Sequence, residues 1–498
     1  MKTHWMMFRR SAKTAAALLL VSLVSLGLPW AVTAQAGAEP VVAAPLAADP
    51  QRYELGWSGG FDGQQMAVGL WVNQQAQIWW CSPDGEPLGA PQALGASPYF
   101  PPACAATYTE PYFLAAWTDD SGAVWLQRFS RQRELVESPQ LLLMPFQGRA
   151  LMVRGLAAAG ARALLLLQDN QADGRGSLYA QWLNADGSKH GTLVLLRDVG
   201  EGEIELPAMA AGSQGVLAVW QWDNGEDLSA PEGRMVRANS TGAELGDLLR
   251  LGAASSDDNP MAVAFDGDRF LAVWNYSGAD DPAPGWNPQP ELVLHGRFVT
   301  AGGELSGPEF TLVSEEHSHF PGLAFDGNRY LLVWSQSVGA QETTWFRYLD
   351  RNGTVVGERR EITGLPAPPP TETGFVFPTV QFVGTNYLAG LNVLRFVESG
   401  EDEVLVGSDL YGVKIPMSDP GPAAEPARLT FLGWSAQDRA LLRVEGTAGA
   451  TYRVESAPEV AGPWSLVGIG SPAGAEASFL VEDNQPRTAR RFYRAVGE

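Results

Sequence analysis

The chain has 498 residues, of which 56 are acidic and 34 are basic, so its formal net charge is −22 at pH 7. A protein this acidic repels phosphate backbones, which argues against a nucleic-acid partner. Two cysteines in so long a chain exclude a disulfide-rich scaffold and a multi-cysteine zinc module.

Residues 1–36 have the pattern of a secretory signal peptide. Basic residues come first, an apolar run follows over residues 15–32, and the small-x-small sequence Ala34-Gln35-Ala36 directly precedes the expected cleavage point. This order predicts cleavage after Ala36 and a mature protein that is secreted, periplasmic or held at the cell surface. Cleavage removes four basic residues and no acids, so the formal charge moves to about −26 (−22 minus 4). An uncleaved membrane anchor is the alternative, but the run is short and contains Pro29, so the mature chain is not expected to span a membrane.

Internal repetition is the main structural signal of the remaining chain. Residues 261–274 read MAVAFDGDRFLAVW, and residues 322–334 read GLAFDGNRYLLVW. Weaker copies occur along the chain, and together they suggest about seven units. The residue that ends each copy is Trp71, Trp117, Leu167, Trp220, Trp274, Trp334 or Leu391.

Each copy has a second half with Gly-containing turns, as in GRMVRANSTGAELG at residues 233–246. Asp266-Gly267 and Asp326-Gly327 lie between apolar runs, where glycine supplies the positive φ of a tight turn. One unit is therefore a four-stranded antiparallel meander of roughly fifty residues, the size of one propeller blade. We predict an all-β fold in which residues 52–416 form a seven-bladed β-propeller; an open stack of sheets is the alternative.

The segments on either side of the repeats complete the domain organisation. The Ala/Pro-rich residues 37–51 include PVVAAPLA at 40–47, which could supply the fourth strand of the seventh unit and so close the ring. Residues 417–426 are a Pro- and Ala-rich linker. Residues 427–498 alternate apolar and polar residues in short runs between turn residues, which predicts a small antiparallel β-sandwich.

The repeat motif A-F-D-G-x-x-[YF]-L-x-V-W, followed by a G-R-[FM]-V strand, resembles the repeat of secreted bacterial β-propeller proteins. The run from Gly449 to Val467 and the closing R-F-Y-R-A at residues 491–495 are similar to a C-terminal β-sandwich module of large exported bacterial proteins. Together the two resemblances cover nearly the whole mature chain. They imply a location outside the cytoplasm and a scaffold for binding or adhesion, and they carry no catalytic residues.

Candidate ligand-binding residues lie on the loops that join strands two and three of a unit and on the loops between units. Both kinds emerge at one end of a propeller, where such folds usually bind their ligands. The candidates are Asp119, Asp120, Trp222, Asp223, Asp280, Asp281, Trp286, Glu315, Glu316, Glu401 and Asp402. Tryptophan rings with carboxylates suit a carbohydrate, carboxylates alone suit a calcium ion, and solvated acidic turns need no ligand at all.

No nucleophile elbow, zincin helix, phosphate loop or dinucleotide fingerprint occurs in the sequence. The predicted function is therefore an exported, non-enzymatic binding protein, expected to be a monomer, that uses its loop face to hold a protein or glycan partner. The alternative is a carbohydrate-binding or carbohydrate-active propeller. Calcium is the only cofactor that the acidic loops suggest.

Cys81 and Cys104 could form a disulfide outside the cytoplasm. They could equally be buried thiols, because both fall where other copies carry apolar residues.

Overall fold

The structure is a computed structural model of the chain. It describes residues 41–47, 54–99, 104–146, 148–169, 176–200, 203–223, 229–253, 260–277, 292–315, 317–338, 341–369, 371–399, 402–417, 428–435, 439–446, 452–458, 465–470, 478–483 and 491–497. The chain divides into two compact units, and the boundary falls between Met417 and Ser418. Within the described residues no helix is long and apolar enough to cross a membrane.

The first unit consists of two short strands followed by seven antiparallel sheets, numbered 1 to 7 in chain order. The two short strands are β1 (Val41–Val42) and β2 (Ala44–Ala47). Sheets 1 and 2 comprise β3 (Glu54–Phe61), β4 (Met66–Val72), β5 (Gln75–Cys81), β6 (Gln92–Ala96), β7 (Cys104–Thr109), β8 (Tyr112–Thr118), β9 (Val124–Phe129) and β10 (Leu135–Leu143). Sheets 3 and 4 comprise β11 (Leu151–Ala159), β12 (Arg162–Asp169), β13 (Leu178–Asn184), β14 (Lys189–Arg197), β15 (Glu203–Gly212), β16 (Gly215–Asp223), β17 (Ser229–Asn239) and β18 (Gly242–Arg250).

The last three sheets of the first unit repeat the same order of strands. Sheets 5 and 6 comprise β19 (Ala262–Phe265), β20 (Arg269–Tyr276), β21 (Val293–Thr300), β22 (Leu305–Val313), β23 (Ser318–Phe325), β24 (Tyr330–Val338), β25 (Gln341–Leu349) and β26 (Val355–Thr363). Sheet 7 comprises β27 (Thr373–Phe382), β28 (Asn386–Ser399) and β29 (Asp402–Pro416), and β2 is its fourth strand.

Tight turns join the first two strands of each sheet, and in sheets 1, 5 and 6 an aspartate fixes the turn: Asp62, Asp266 and Asp326. In sheet 5, Asp266 Oδ1 accepts hydrogen bonds from the main-chain N–H groups of Asp268 and Arg269, at 2.9 and 2.8 Å. Gly267 follows with a φ of 97°, a conformation that glycine adopts without steric cost. The prediction that the Asp-Gly pairs of the repeat are turn formers is confirmed.

A cluster of buried apolar side chains fills each interface between neighbouring sheets, including the interface between sheets 7 and 1. Phe270 and Trp274 pack between sheets 4 and 5, and Tyr330 and Trp334 pack between sheets 5 and 6. Met66 of sheet 1 shares a cluster with residues of sheet 7, which closes the ring. The first unit is therefore a closed seven-bladed propeller, because every blade buries both of its faces against neighbours.

A buried polar residue follows the Trp or Leu position in the second strand of several sheets. Four of these side chains donate to a main-chain oxygen in the first strand of the next sheet: Thr118 to Leu151, Gln168 to Ile204, Asn275 to Ser318 and Ser335 to Val376. A hydrogen bond of this kind contributes about 1 kcal/mol and also fixes the register of neighbouring blades.

The N-terminal strands hold two blades at once. Strand β1 pairs in parallel with β26 of sheet 6, and β2 pairs antiparallel with β29 of sheet 7. Val41 is buried in the cluster between these two sheets. The segment that the sequence assigns to ring closure therefore bridges the last two blades in addition to completing the seventh.

The second unit contains two three-stranded sheets that share one apolar cluster. Their strands are β30 (Arg428–Trp434), β31 (Ala440–Glu445), β32 (Tyr452–Ala457), β33 (Ser465–Gly470), β34 (Ser478–Glu482) and β35 (Phe492–Gly497). The sheet orders are β30-β31-β34 and β33-β32-β35. Leu442 and Val444 of one sheet pack with Tyr452 and Val454 of the other, as in a small β-sandwich.

Candidate functional site

A cavity of ≈ 470 Å³ lies on the axis of the ring, lined by the first strands of all seven sheets. Small residues form its middle, among them Gly155, Ala262 and Gly322. A methyl group added to Gly322 would come within 3.0 Å of the main-chain oxygen of Pro378. The strands therefore approach the axis closely at this level, and the cavity wall there is mostly main chain.

In an antiparallel meander, the connections between strands two and three and those between sheets lie at the same end of the ring, here called the loop end. Toward this end the first strands of sheets 4 to 7 each place a proline in the cavity wall: Pro207, Pro260, Pro321 and Pro378. The inner edge of each first strand has no partner strand, so a residue without an N–H group is tolerated there. These four residues are called the proline collar.

Two phenylalanines lie beside the proline collar. The rings of Phe320 and Phe377 are stacked with centroids 4.0 Å apart and an interplanar angle of 25°. Phe320 has a φ of 52°, an uncommon conformation for a bulky residue, at an irregularity in the pairing of β23 with β24. Both side chains border the cavity but are buried, at 8% and 7% exposed, in a cluster with Leu394, Phe396 and Leu405.

The ring of His319 contacts Phe320 edge-on, with centroids 4.4 Å apart. Its Nε2 lies 2.6 Å from Glu342 Oε1, and Ser337 donates to the other oxygen of Glu342 at 2.7 Å. The carboxylate sits between the imidazole and the hydroxyl, so the imidazole is not placed to activate the serine as a nucleophile. The group therefore packs against the buried ring of Phe320.

Arg154 is the charged residue among the described residues that line the cavity. It is 5% exposed, and its Nε donates to Gln168 Oε1 at 2.8 Å. Gln168 in turn donates to the main-chain oxygen of Ile204 in the next sheet. The guanidinium is therefore tied into the interface between sheets 3 and 4.

The opposite end of the cavity is lined by Phe61, Thr107, Tyr108 and Gln381. The Tyr108 hydroxyl donates to the carboxylate of Glu110. Burial, together with this hydrogen bond, raises the pKa of Tyr108 to about 12, so the phenol is neutral at physiological pH. This end combines aromatic edges with neutral polar groups.

Asp119 and Asp120 lie where the sequence places them, in the connection between β8 and β9. Asp119 accepts hydrogen bonds from Ser121, from the N–H of Ala123 and from the Trp125 indole at 2.6 Å. Burial alone would raise the pKa of Asp119, but these hydrogen bonds outweigh it and hold the pKa below its usual value. Asp119 therefore stabilises its own turn, whereas Asp120 is exposed.

The role of Asp119 in its own turn predicts that its contribution to folding stability depends on pH. A carboxyl whose pKa is lowered by folding contributes stability at neutral pH, and the contribution disappears as the pH falls through the folded-state pKa. Asp119→Asn should therefore be less stable than the wild type at pH 7, and the difference should shrink below about pH 4. Urea unfolding at pH 7 and at pH 3 measures this, with Asp120→Asn as the control. Equal destabilisation by Asp119→Asn at both pH values would contradict the assignment.

The candidates in sheet 4 are packed into the blade. Trp222 is half-buried, and the guanidinium of Arg197 lies 4.4 Å from its ring centroid. Arg197 also pairs with Glu232 at 2.8 Å. One face of the Trp222 ring is therefore already covered, contrary to the expectation of an exposed stacking platform. Asp223 ends β16 and is half-buried.

Glu315 lies in the connection between sheets 5 and 6, with Arg347 and Arg359 each 3.5 Å from its Oε1. Its charge is therefore balanced within the propeller. Asp402 begins β29, and its side chain is not described. The remaining candidates lie outside the described residues: Asp280, Asp281, Trp286, Glu316 and Glu401. Among the described candidates, Asp119, Trp222 and Glu315 are therefore each engaged by other residues of the propeller.

Of the two alternatives for Cys81 and Cys104, the structure has the buried thiols and not the disulfide: both cysteines are free and buried. Cys81 faces sheet 7, whereas Cys104 belongs to the cluster between sheets 1 and 2. The two sulfurs lie on opposite sides of sheet 1 and cannot meet. Burial raises the pKa of each thiol to about 12. Within the described ranges, no group of three or more His, Cys, Asp or Glu residues could hold a metal ion.

The central cavity was not among the sequence-predicted sites, because those candidates are loop residues and the cavity is lined by the first strands. The proline at the head of several copies, as in PAMA at 207–210 and PTVQ at 378–381, was the available signal. No protein-family model matches the sequence, and no curated protein matches it.

The chain has a weak similarity to solved structures. An N11 neuraminidase-like protein of A/flat-faced bat/Peru/033/2010 (H18N11) is 10% identical, with a TM-score of 0.40, over 77% of this chain and 98% of that one. A structure from a study of two prolyl endopeptidases is also 10% identical with a TM-score of 0.40, over 80% of this chain and 55% of that one. Both likenesses are too distant to transfer any activity or residue role.

Proposed function

We propose that this chain is an exported, non-enzymatic binding protein that receives its partner at the loop end of the propeller, with the central cavity as part of the site. The observation that carries the proposal is the cavity itself, because seven separate strands leave space on the axis in place of a filled core. Binding sites are typically concave, mostly apolar and furnished with a few polar groups. The cavity is concave, and it is more polar than that average, because the proline collar is accompanied by neutral polar residues, Arg154 and main-chain groups.

Four of the described carboxylates are already engaged by other side chains or by main-chain N–H groups, and this supports a role without catalysis. Asp119 stabilises a turn, Glu232 and Glu315 are paired with arginines, and Glu342 is paired with His319. A glycoside hydrolase needs two carboxyl groups that face the substrate across the scissile bond. A panel of polysaccharides incubated with the protein should therefore yield no new reducing ends. Product formation from any of them would favour the carbohydrate-active alternative.

The proposals on export and on the class of partner rest on the sequence alone. We propose that the protein belongs with secreted bacterial propeller repeat proteins and that its partner is a protein or a glycan outside the cytoplasm. Expression in a bacterial host, followed by fractionation and N-terminal sequencing, should recover a chain that begins at Gly37. A cytoplasmic chain that retains residues 1–36 would contradict export.

A glycan array distinguishes the two partner classes. It should be run with and without calcium, on the wild type and on the Trp222→Ala and Trp286→Ala variants. A sugar signal that is lost in either variant supports a lectin-like function, and a signal that requires calcium supports a metal-dependent one. No signal on any glycan favours a protein partner.

A further inference from the structure

We propose that Asn352 is the acceptor of an N-linked glycan at the end of the propeller opposite the loop end. The acceptor pattern for N-glycosylation of exported proteins is Asn-x-Ser/Thr, and the sequence contains it at Asn239-Ser240-Thr241, Asn275-Tyr276-Ser277 and Asn352-Gly353-Thr354. An oligosaccharyltransferase must reach both the side-chain amide and the hydroxyl two residues later. The exposure and the hydrogen bonds of the three asparagines therefore decide among them.

Asn275 is closed to an enzyme in the folded chain. It is 0% exposed, and its Nδ2 donates to the main-chain oxygen of Ser318 in the next sheet at 3.3 Å. A glycan on this nitrogen would have to occupy the packed interface between sheets 5 and 6, so this asparagine is excluded.

Asn239 is half-buried at the end of β17. Its Oδ1 accepts hydrogen bonds from the main-chain N–H and from the hydroxyl of Thr241, at 2.9 and 3.0 Å. Its main-chain oxygen lies 2.7 Å from His190 Nε2 of the preceding sheet. The hydroxyl that an enzyme would have to recognise is therefore already used within the turn.

Asn352 and Thr354 are both exposed, at the tip of the hairpin that joins β25 to β26. Asp350 Oδ1 holds this turn by accepting hydrogen bonds from their main-chain N–H groups, at 2.7 and 2.9 Å, so the turn does not depend on the Thr354 hydroxyl. Arg269 of sheet 5 donates to Asn352 Oδ1 at 3.0 Å. Because a guanidinium only donates, the amide oxygen faces Arg269 and Nδ2 points away from it.

The transfer uses Asn352 Nδ2 as its acceptor atom. The donor is a glycan joined through its anomeric carbon to a lipid diphosphate. A bond forms between that carbon and Nδ2, and the bond from the carbon to the diphosphate oxygen breaks. The lipid diphosphate leaves with the electron pair, and the amide nitrogen loses one proton, so no oxidant or reductant is needed.

The position of the glycan separates this proposal from the binding function. In an antiparallel meander the connection between strands three and four lies at the same end as the connection between strands one and two, opposite the loop end. A glycan on Asn352 leaves the proposed partner site uncovered. Failure of either proposal therefore leaves the other intact.

The experiment expresses the mature chain in a bacterial host that carries a lipid-linked glycan and an oligosaccharyltransferase that requires only the Asn-x-Ser/Thr pattern. A signal sequence of the host directs export, so the result does not depend on the predicted cleavage after Ala36. A flexible acceptor sequence appended after Glu498 reports that the enzyme acts on this chain. We expect mass spectrometry of the intact chain and of its peptides to show a glycan on the appended sequence and a second glycan on Asn352.

Substitutions in the acceptor pattern locate the second glycan. Asn352→Gln and Thr354→Val should each abolish it, whereas Thr354→Ser keeps the hydroxyl and should retain it. Asn239→Gln is the matched control, because it removes the half-buried acceptor and should leave the second glycan in place. The inference is overturned if the appended sequence is glycosylated and Asn352 is not, if the second glycan lies on Asn239 or Asn275, or if it survives Asn352→Gln.

Discussion

A chain that begins at Ala48 will have a markedly less stable propeller than a chain that begins at Gly37. The deletion removes the ladder between β1 and β26, the ladder between β2 and β29, and the buried side chain of Val41. Burial of one valine contributes about 1.5–3 kcal/mol and each main-chain hydrogen bond about 1 kcal/mol, so the loss should exceed about 3 kcal/mol. For a ring of this size the melting temperature should fall by roughly 3–5 °C or more, which calorimetry measures.

The deletion also exposes the edges of β26 and β29, which invites pairing between molecules. We therefore expect dimers or larger species in size-exclusion chromatography and expect a synthetic peptide of residues 37–47 to restore the monomer. A matched pair of substitutions tests the contact without a deletion. Val41 is 7% exposed and Val42 is 55% exposed, so Val41→Ser should destabilise the ring and Val42→Ser should not. Unchanged melting of both the deletion variant and Val41→Ser would show that β1 and β2 contribute nothing to stability.

The architecture was predictable because one pattern is repeated with its turn chemistry intact. The AFDG turns and the terminal Trp positions mark strands one and two, and these residues occupy equivalent places in successive blades. The pairing of β1 with β26 was not predictable, because a parallel pair between distant segments leaves no hairpin signal. Strand β30 is also weakly marked in the sequence, since its residues RLTFLGW lack clear alternation and follow the Pro-rich linker.

The site was less predictable than the fold for a physical reason. A carboxylate that accepts main-chain hydrogen bonds in its own turn and a carboxylate that binds a ligand look alike in sequence, since both lie on loops next to Gly and Ser. Asp119 is of the first kind, and its partners are visible only in three dimensions. The cation over Trp222 comes from Arg197 of another sheet, which local sequence could not indicate. The cavity depends on how closely seven strands approach one axis, and no single repeat contains that information.

The second large effect concerns the repeated tryptophans. Trp334→Ala should destabilise the propeller by about 3–5 kcal/mol, because a fully buried indole is removed from the interface between sheets 5 and 6. In the described residues no acceptor lies within hydrogen-bond distance of Trp334 Nε1, so the loss is one of packing. Equilibrium unfolding in urea measures the effect. Trp434→Ala, at a site that is 41% exposed in the second unit, is the control and should change stability by less than about 1 kcal/mol.

The repeat itself supplies a finer test of why this position is apolar. Leu167 and Leu391 take the place of the tryptophan in sheets 3 and 7, and both are fully buried. If the position requires only an apolar side chain that fills the gap to the preceding blade, Trp334→Leu should cost clearly less than Trp334→Ala, since leucine leaves a smaller cavity and no unpaired N–H. The reverse change, Leu391→Trp, should destabilise the ring through overpacking, because the neighbouring blade has already closed around the smaller side chain. If Trp334→Leu costs as much as Trp334→Ala, each interface is instead adapted to its own side chain, and the tryptophans are not interchangeable parts of one repeated design.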